Sequence, residues 1–245
     1  MHDLWSRLPR TFGLYRPESD PFIRRIRSLV IGEGMLHEGN IHLMDHAIRH
    51  MPATGSVVEI GSYGGLSANV ITYLLEKHQK SHPFFTCDAW IYEGYQDHLQ
   101  AVPAPYIDGR KDIPRQAFEG YIKNAFMESV RFLSPQRIPH AFHLYSDVFF
   151  EKWNSCRQEM DIFGRTAQLG GEISFAYIDG GHSHEVAWHD FTQAAAHLTN
   201  HGFILLDDSA EGQHFGSARM MAAIKKDPRF RVVAKRPNYL IQKIF

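Results

Sequence analysis

The chain is 245 residues long, 44% of them hydrophobic and 22% charged. At roughly 100 to 200 residues per domain this is one large domain or a core with an appended segment, and the balance excludes a disordered chain or a membrane protein. Lys and Arg total 26 against 27 Asp and Glu, a net charge of -1 without blocks of like sign, so bulk electrostatics gives no support for nucleic-acid binding. Cys87 and Cys156 form no CxxC pair and suit a reducing compartment. The start lacks the apolar stretch of a signal peptide and no run of about 18 apolar residues occurs, which reads as a soluble, cytoplasmic protein with no membrane partner.

In chain order, residues 1–54 are expected to form an N-terminal cap: irregular sequence rich in Pro and Arg, then a helix over NIHLMDHAIRHM. Residues 55–245 carry five short apolar runs ending in small or acidic residues, SVVEIGS, FFTCDAW, AFHLYSD, ISFAYIDG and GFILLDD. These read as buried strands of a parallel sheet. Helical spacing in LSANVITYLLEKH and HEVAWHDFTQAAAHL gives the alternation of a doubly wound α/β fold with helices on both faces. The connection over about 91–140 is too long for an ordinary crossover and reads as a substrate lid containing a helix, AFEGYIKNAFMESV. At the C-terminus RFRVVAKR and YLIQKIF lie almost back to back, so they can pair only as an antiparallel hairpin, bringing the count to seven strands.

The first strand runs into VVEIGSYGGLS, placing Glu59, Gly61, Gly64 and Gly65 where a strand turns into a helix. Glycines there let backbone approach a ligand, and the helix start offers free amide donors to an anionic group. The spacing departs from the GxGxxG of dinucleotide-binding turns, and no Tyr-x-x-x-Lys pair accompanies it, which disfavours a nicotinamide oxidoreductase. Tight strand-to-helix packing also explains such a turn. Asp88 ends the second strand, where a carboxylate can accept both hydroxyls of a ribose or serve as a turn cap. Ser146 and Asp147, at the end of the third, would stand near the same ligand's base.

With E-x-G-x-x-G-G on strand one, an acid after strand two, seven strands and a terminal hairpin, residues 35 to 245 resemble the class I S-adenosylmethionine-dependent methyltransferases. The resemblance implies a Rossmann-like sheet, with Gly61, Gly64 and Gly65 lining the methionine part of the cofactor, Glu59 orienting it and Asp88 holding the ribose.

Strand four ends in YIDGGHSHE and strand five in ILLDDS, so Asp179, Asp207 and Asp208 should project from neighbouring strand ends. Clustered carboxylates repel, and a hard divalent cation such as magnesium is the natural remedy. D-G-G-H-S-H-E followed by G-F-I-L-L-D-D is similar to the metal-dependent O-methyltransferases of macrolide and aminocoumarin sugars. That resemblance implies Asp179, Asp207 and Asp208 as magnesium ligands and His182 as general base, with Asp179 itself in that role in other members. A sugar or alkyl hydroxyl is too weakly acidic to attack a sulfonium methyl unaided, and a cation together with a base supplies what is missing. The alternatives are a metal-independent methyltransferase and a cofactor-binding module without catalysis.

His42, His46 and His50 recur at helical spacing but lack an HExxH acid, so they read as a polar helix face. His184, His189, His197, His201 and His214 read mostly as solvent-facing, with His184 and Asp190 near enough to the strand-four motif to support it. Trp90, Tyr92, Tyr95, Tyr106, Arg110 and Arg115 offer stacking surfaces and cations to an oxygen-rich or anionic acceptor, or else pack the lid. The expected partner is a small-molecule acceptor. A homo-oligomer is left open.

Overall fold

The computed structural model describes residues 20–28, 35–91, 105–106 and 113–245. Tyr92, Tyr95 and Arg110 therefore lie outside the described residues, as do part of the expected lid and residues 1–19 and 29–34 of the expected cap. The described chain opens with α1 (Pro21–Ser28) and α2 (Glu38–His50), then β1 (Ser56–Ile60), α3 (Leu66–Lys77) and β2 (Phe84–Asp88). Further along come α4 (Arg115–Leu133), which lies within the expected lid and packs into the core through Phe126 and Val130, then β3 (His140–His143), α5 (Ser146–Asn154), and a small antiparallel hairpin of β4 (Gln158–Met160) and β5 (Thr166–Gln168). The chain continues with β6 (Ile173–Ile178), α6 (His184–His197), β7 (Leu198–Leu206), α7 (Gly216–Ile224), β8 (Phe230–Arg236) and β9 (Asn238–Lys243).

Seven strands form one sheet in the order β3-β2-β1-β6-β7-β9-β8. The first five are parallel, whereas β9 runs antiparallel to β7 and also to β8, the latter pairing being what the short Pro237 connection demands. Strand order reverses between β1 and β6, the switch point at which open α/β sheets bind ligands beyond their carboxyl ends.

Successive side chains on a strand point to opposite faces, and this alternation divides the apolar residues into two cores. Val57, Phe175, Tyr177, Phe203 and Leu205 pack with α2, α3 and α4. Val58, Ile60, Ala176, Ile178, Ile204 and Leu206 pack with α5, α6 and α7, around the fully buried Phe149, Phe150 and Trp153. Burial on both faces explains why the central strands read as near-continuous apolar runs. The small β4–β5 hairpin was not signalled by hydrophobic pattern: its residues are mostly exposed, and Asp161 orders its turn by accepting from the Phe163 and Arg165 amides.

The helix before β1 is an integral part of this packing. Ile41, Leu43, Met44, Ala47 and Ile48 of α2 are completely buried, and Asp45 meets His78 Nε2 of the α3 C-cap at 2.7 Å. His42 and His46 are half-buried, and the His46 ring stands edge-on to Phe203, so this face is less polar than its histidines imply. At the other end, Gly39 lies against the backbone of the β8–β9 connection.

That last contact sets two effects against each other. A helical Gly→Ala exchange ordinarily gains about 1 kcal/mol from backbone entropy. Here the new Cβ would stand 1.8 Å from the Arg236 carbonyl oxygen, a backbone atom that cannot swing aside. Overpacking of this kind costs about 1–3 kcal/mol or more. Gly39→Ala is therefore expected to destabilise the protein, by about 1–2 kcal/mol net; urea denaturation that shows it equal to or more stable than the parent would sink the docking geometry.

Candidate active site

A single cleft of about 1370 Å³ opens over the carboxyl ends of β2, β1, β6 and β7. Its wall includes Gly61, Ser62, Tyr63, Asp88, Trp90, Ser146, Asp147, Asp179, His182, Asp207 and Asp208. Three residues on this wall have left-handed backbone despite carrying side chains: Tyr63 (φ 42°), Trp90 (φ 47°) and Asp208 (φ 50°). Such strain is held by surrounding structure and collects at binding sites.

The glycine turn is built by contacts to protein on both sides. Gly61 has φ 86°, and a Cβ there would lie 1.9 Å from the Asp179 carbonyl oxygen, so only glycine allows β1 to pass this close to the end of β6. Gly65, the N-cap of α3, has φ 91° and faces Ser129 of α4, whose hydroxyl also donates to the Gly64 carbonyl at 2.9 Å. Gly61 thus lines the cleft, whereas Gly64 and Gly65 are buried against α4.

Asp88 fastens the turn to β2. Its Oδ2 accepts from the amides of Ser62 (2.7 Å) and Tyr63 (2.8 Å), and its Oδ1 from the amide of Trp90 (2.6 Å). Burial pushes the carboxyl above the usual carboxylate range, and these three donors work against that push. Trp90 closes the corner: its indole donates to the Tyr63 carbonyl at 3.0 Å, and its ring lies against Phe126. Beyond them, Ser146 and Asp147 form the first turn of α5 and line the cleft, with Asp147 Oδ1 accepting from the Val148 amide at 2.8 Å; β3 has already ended at His143.

Glu59 stands behind the turn, wholly buried and away from the cleft wall. The Thr86 hydroxyl donates to its Oε2 at 2.7 Å and accepts from the Ser62 hydroxyl, so the carboxyl supports the cleft through Ser62. Burial raises its pKa to about 7.

The acidic corner lies across β6 and β7. The Tyr177 hydroxyl reaches Oδ2 of both Asp179 and Asp207 at 2.9 Å, and Asp207 Oδ1 accepts from Asn40 Nδ2 (2.7 Å) and Asn238 Nδ2. Burial, and then the charge of Asp207, hold Asp179 well above the ordinary carboxylate range; the same two causes raise Asp208 to about 6. His182 brings Nε2 to 3.5 Å from Asp208 Oδ2, with its ring 4.9 Å from that of Phe215. Its loop is pinned by the Gly216 amide, which donates to the His182 carbonyl.

The structure brings Gly61, Asp88, Ser146, Asp147, Asp179, His182, Asp207 and Asp208 onto one surface and leaves Glu59, Gly64 and Gly65 behind it. Among the described residues no three His, Cys, Asp or Glu side chains already converge as a metal cluster. Three carboxylates nevertheless line one corner, two of them with raised proton affinity, and no Lys or Arg among the described residues lines the cleft, so Asp179, Asp207 and Asp208 are the side chains that could hold a hard cation. His184 and Asp190 stand off the wall, Asp190 being fully buried with Oδ1 3.4 Å from His189 Nδ1. His184 and His197 are half-buried rather than solvent-facing, and His201 and His214 are exposed.

Tyr177, Asn40 and Asn238 escape the motif reading. Tyr177 of β6 precedes Asp179, the first residue past the strand, by two positions and so shares its face, a signal present in the sequence. The two asparagines come from α2 and β9, and only the fold reveals them.

The Glu59 arrangement has a pH signature. A carboxyl with a higher pKa folded than unfolded contributes stability that is lost as pH rises from about 4.5 through about 7. Glu59→Gln, which keeps the acceptor for Thr86, is expected to stabilise at pH 8 by on the order of 2 kcal/mol and to change little at pH 4. Denaturant titrations of both proteins at the two pH values check this, and an equal effect at both would refute it.

The comparisons agree with this geometry. The family model described as "Methyltransferase domain" matches residues 58–209, more than half of the chain. Among solved structures, the O-methyltransferase NovP has a TM-score of 0.55 at 14% identity, with 86% of this chain and 82% of that one covered. A putative O-methyltransferase from Klebsiella pneumoniae has a TM-score of 0.55 at 12% identity, covering 92% and 90%. An O-methyltransferase from Bacillus cereus in complex with SAH has 0.54 at 11%, covering 92% and 91%. At these identities the structures establish a shared fold. No curated protein matches the sequence. The sheet order, the terminal antiparallel hairpin and the match over residues 58–209 place this chain in the methyltransferase-domain family.

Proposed function

We propose that this methyltransferase moves the methyl group of S-adenosylmethionine to a hydroxyl oxygen of a small molecule, with a divalent cation, magnesium, at Asp179, Asp207 and Asp208. The observation that carries this reading is that one cleft holds both Gly61, Asp88, Ser146 and Asp147, suited to a nucleoside, and an acidic corner with a histidine beside it. The structural neighbours described as O-methyltransferases, one of them in complex with SAH, support it.

Asp88 would accept the ribose hydroxyls on the lone pairs left by Ser62, Tyr63 and Trp90, while Ser146 and Asp147 offer polar groups to the base. When bound, the cation would lower the proton affinity of the acceptor hydroxyl. His182 takes that proton, and Asp208 beside Nε2 stabilises the resulting imidazolium. Asp179 is the alternative base, its carboxyl being held above the usual range by burial. The cleft walls then keep the oxygen and the sulfonium methyl in line, so positioning supplies part of the rate.

Three measurements test this reading. Asp88→Ala should weaken binding of S-adenosylhomocysteine by about 1–3 kcal/mol in calorimetry, the range for lost hydrogen bonds to a charged group; unchanged affinity would remove the ribose role. Turnover should fall in excess chelator and return with magnesium. His182→Ala should slow the chemical step about a hundredfold to ten-thousandfold, with partial recovery as pH rises. Full activity under chelation would eliminate the cation, and normal turnover by the histidine variant would move the base to Asp179.

A further inference from the structure

The family match ends at residue 209 and starts at residue 58, yet two groups that hold Asp207 lie outside it. Asn40 belongs to α2 and Asn238 begins β9. Asn40 Nδ2 donates to Asp207 Oδ1 at 2.7 Å, and Asn238 Nδ2 donates to the same oxygen. Asn238 Nδ2 also reaches Asn40 Oδ1 at 3.1 Å, and Asn238 Oδ1 accepts from the Ala210 amide at 3.1 Å. The network closes on itself. Asn40 is completely buried, Asn238 is 4% exposed and Asp207 7%.

Burying two carboxamides is costly unless their hydrogen bonds are complete, and an apolar side chain of similar volume would fill α2's contact at less risk. Their geometry has a directional result. With Oδ1 held by two amides, Asp207 presents Oδ2 toward Tyr177 and Asp179, at the acidic corner of the cleft. Rotation of the carboxylate about its own axis would break both amide bonds.

We propose that Asn40 and Asn238 are positioning residues for the cation site, fixing the orientation of Asp207 from outside the segment 58–209 that the family model matches. This deepens the cation reading above and rests on it. Groups that orient metal ligands typically change affinity by roughly 10- to 100-fold when removed. Asn40 is the cleaner position to vary, because Asn238 also satisfies the Ala210 amide.

The test uses the full chain with Mn²⁺ as a paramagnetic probe, its binding followed by electron paramagnetic resonance, and S-adenosylhomocysteine binding measured beside it. Asn40→Leu should weaken Mn²⁺ binding roughly tenfold or more and leave S-adenosylhomocysteine affinity within about twofold. Asn40→Ser, smaller and too short to reach Asp207, should give the same split and serves if the leucine variant does not fold. Unchanged Mn²⁺ affinity in a folded variant overturns the positioning role alone. Equal loss for both ligands overturns it too, since it marks a structural defect. If the parent protein itself binds no Mn²⁺, the cation reading falls and takes this proposal with it.

Discussion

The register of the parallel strands is the constraint from which the site follows. Ile60 pairs with Cys87 and with Ile178, and Ile178 pairs with Leu206. One residue further on, Gly61, Asp88, Asp179 and Asp207 therefore stand level across four strands. A one-residue slip of any strand would turn its acid to the other face and its apolar residues out of their core. The two cores thus hold the chemistry in line: Val57 and Val58, or Leu205 and Ile204, lock each strand against helices on opposite sides.

Crowding acids at that level has an electrostatic cost, and the structure meets it in three ways. Backbone amides neutralise part of the charge at Asp88, a phenol bridges Asp179 and Asp207, and carboxamides hold the second oxygen of Asp207. Asp208 has an imidazole at 3.5 Å. Burial and the charge of Asp207 still leave Asp179 and Asp208 with raised proton affinity, which marks the corner as a candidate functional site.

Much of this was legible in the sequence because it depends on local pattern. Apolar runs that end in an acid or glycine mark strands buried on both faces whose ends carry function, so Gly61, Asp88, Asp179 and Asp207 could be named from their places in the chain. The backbone needs of the turn were less legible. Gly64 and Gly65 resemble ligand-facing glycines in a motif, but their surroundings are set by Ser129, 65 residues from Gly64 in the chain. Ser146 reads as the end of a strand and in fact opens a helix, because β3 stops at His143. Asn40 and Asn238 carry no local signal, since their role exists only once α2 and β9 meet over β7.

The Asn40–Asn238 contact joins residues 198 positions apart, and Asp207 sits between them. Such a closure contributes nothing until nearly the whole chain is available, so during synthesis the corner stays open until β9 has emerged and inserted between β7 and β8. The sheet's first five strands can already be paired at that stage. Closure of the Asn40–Asn238 pair over Asp207 is thus a late event in assembly.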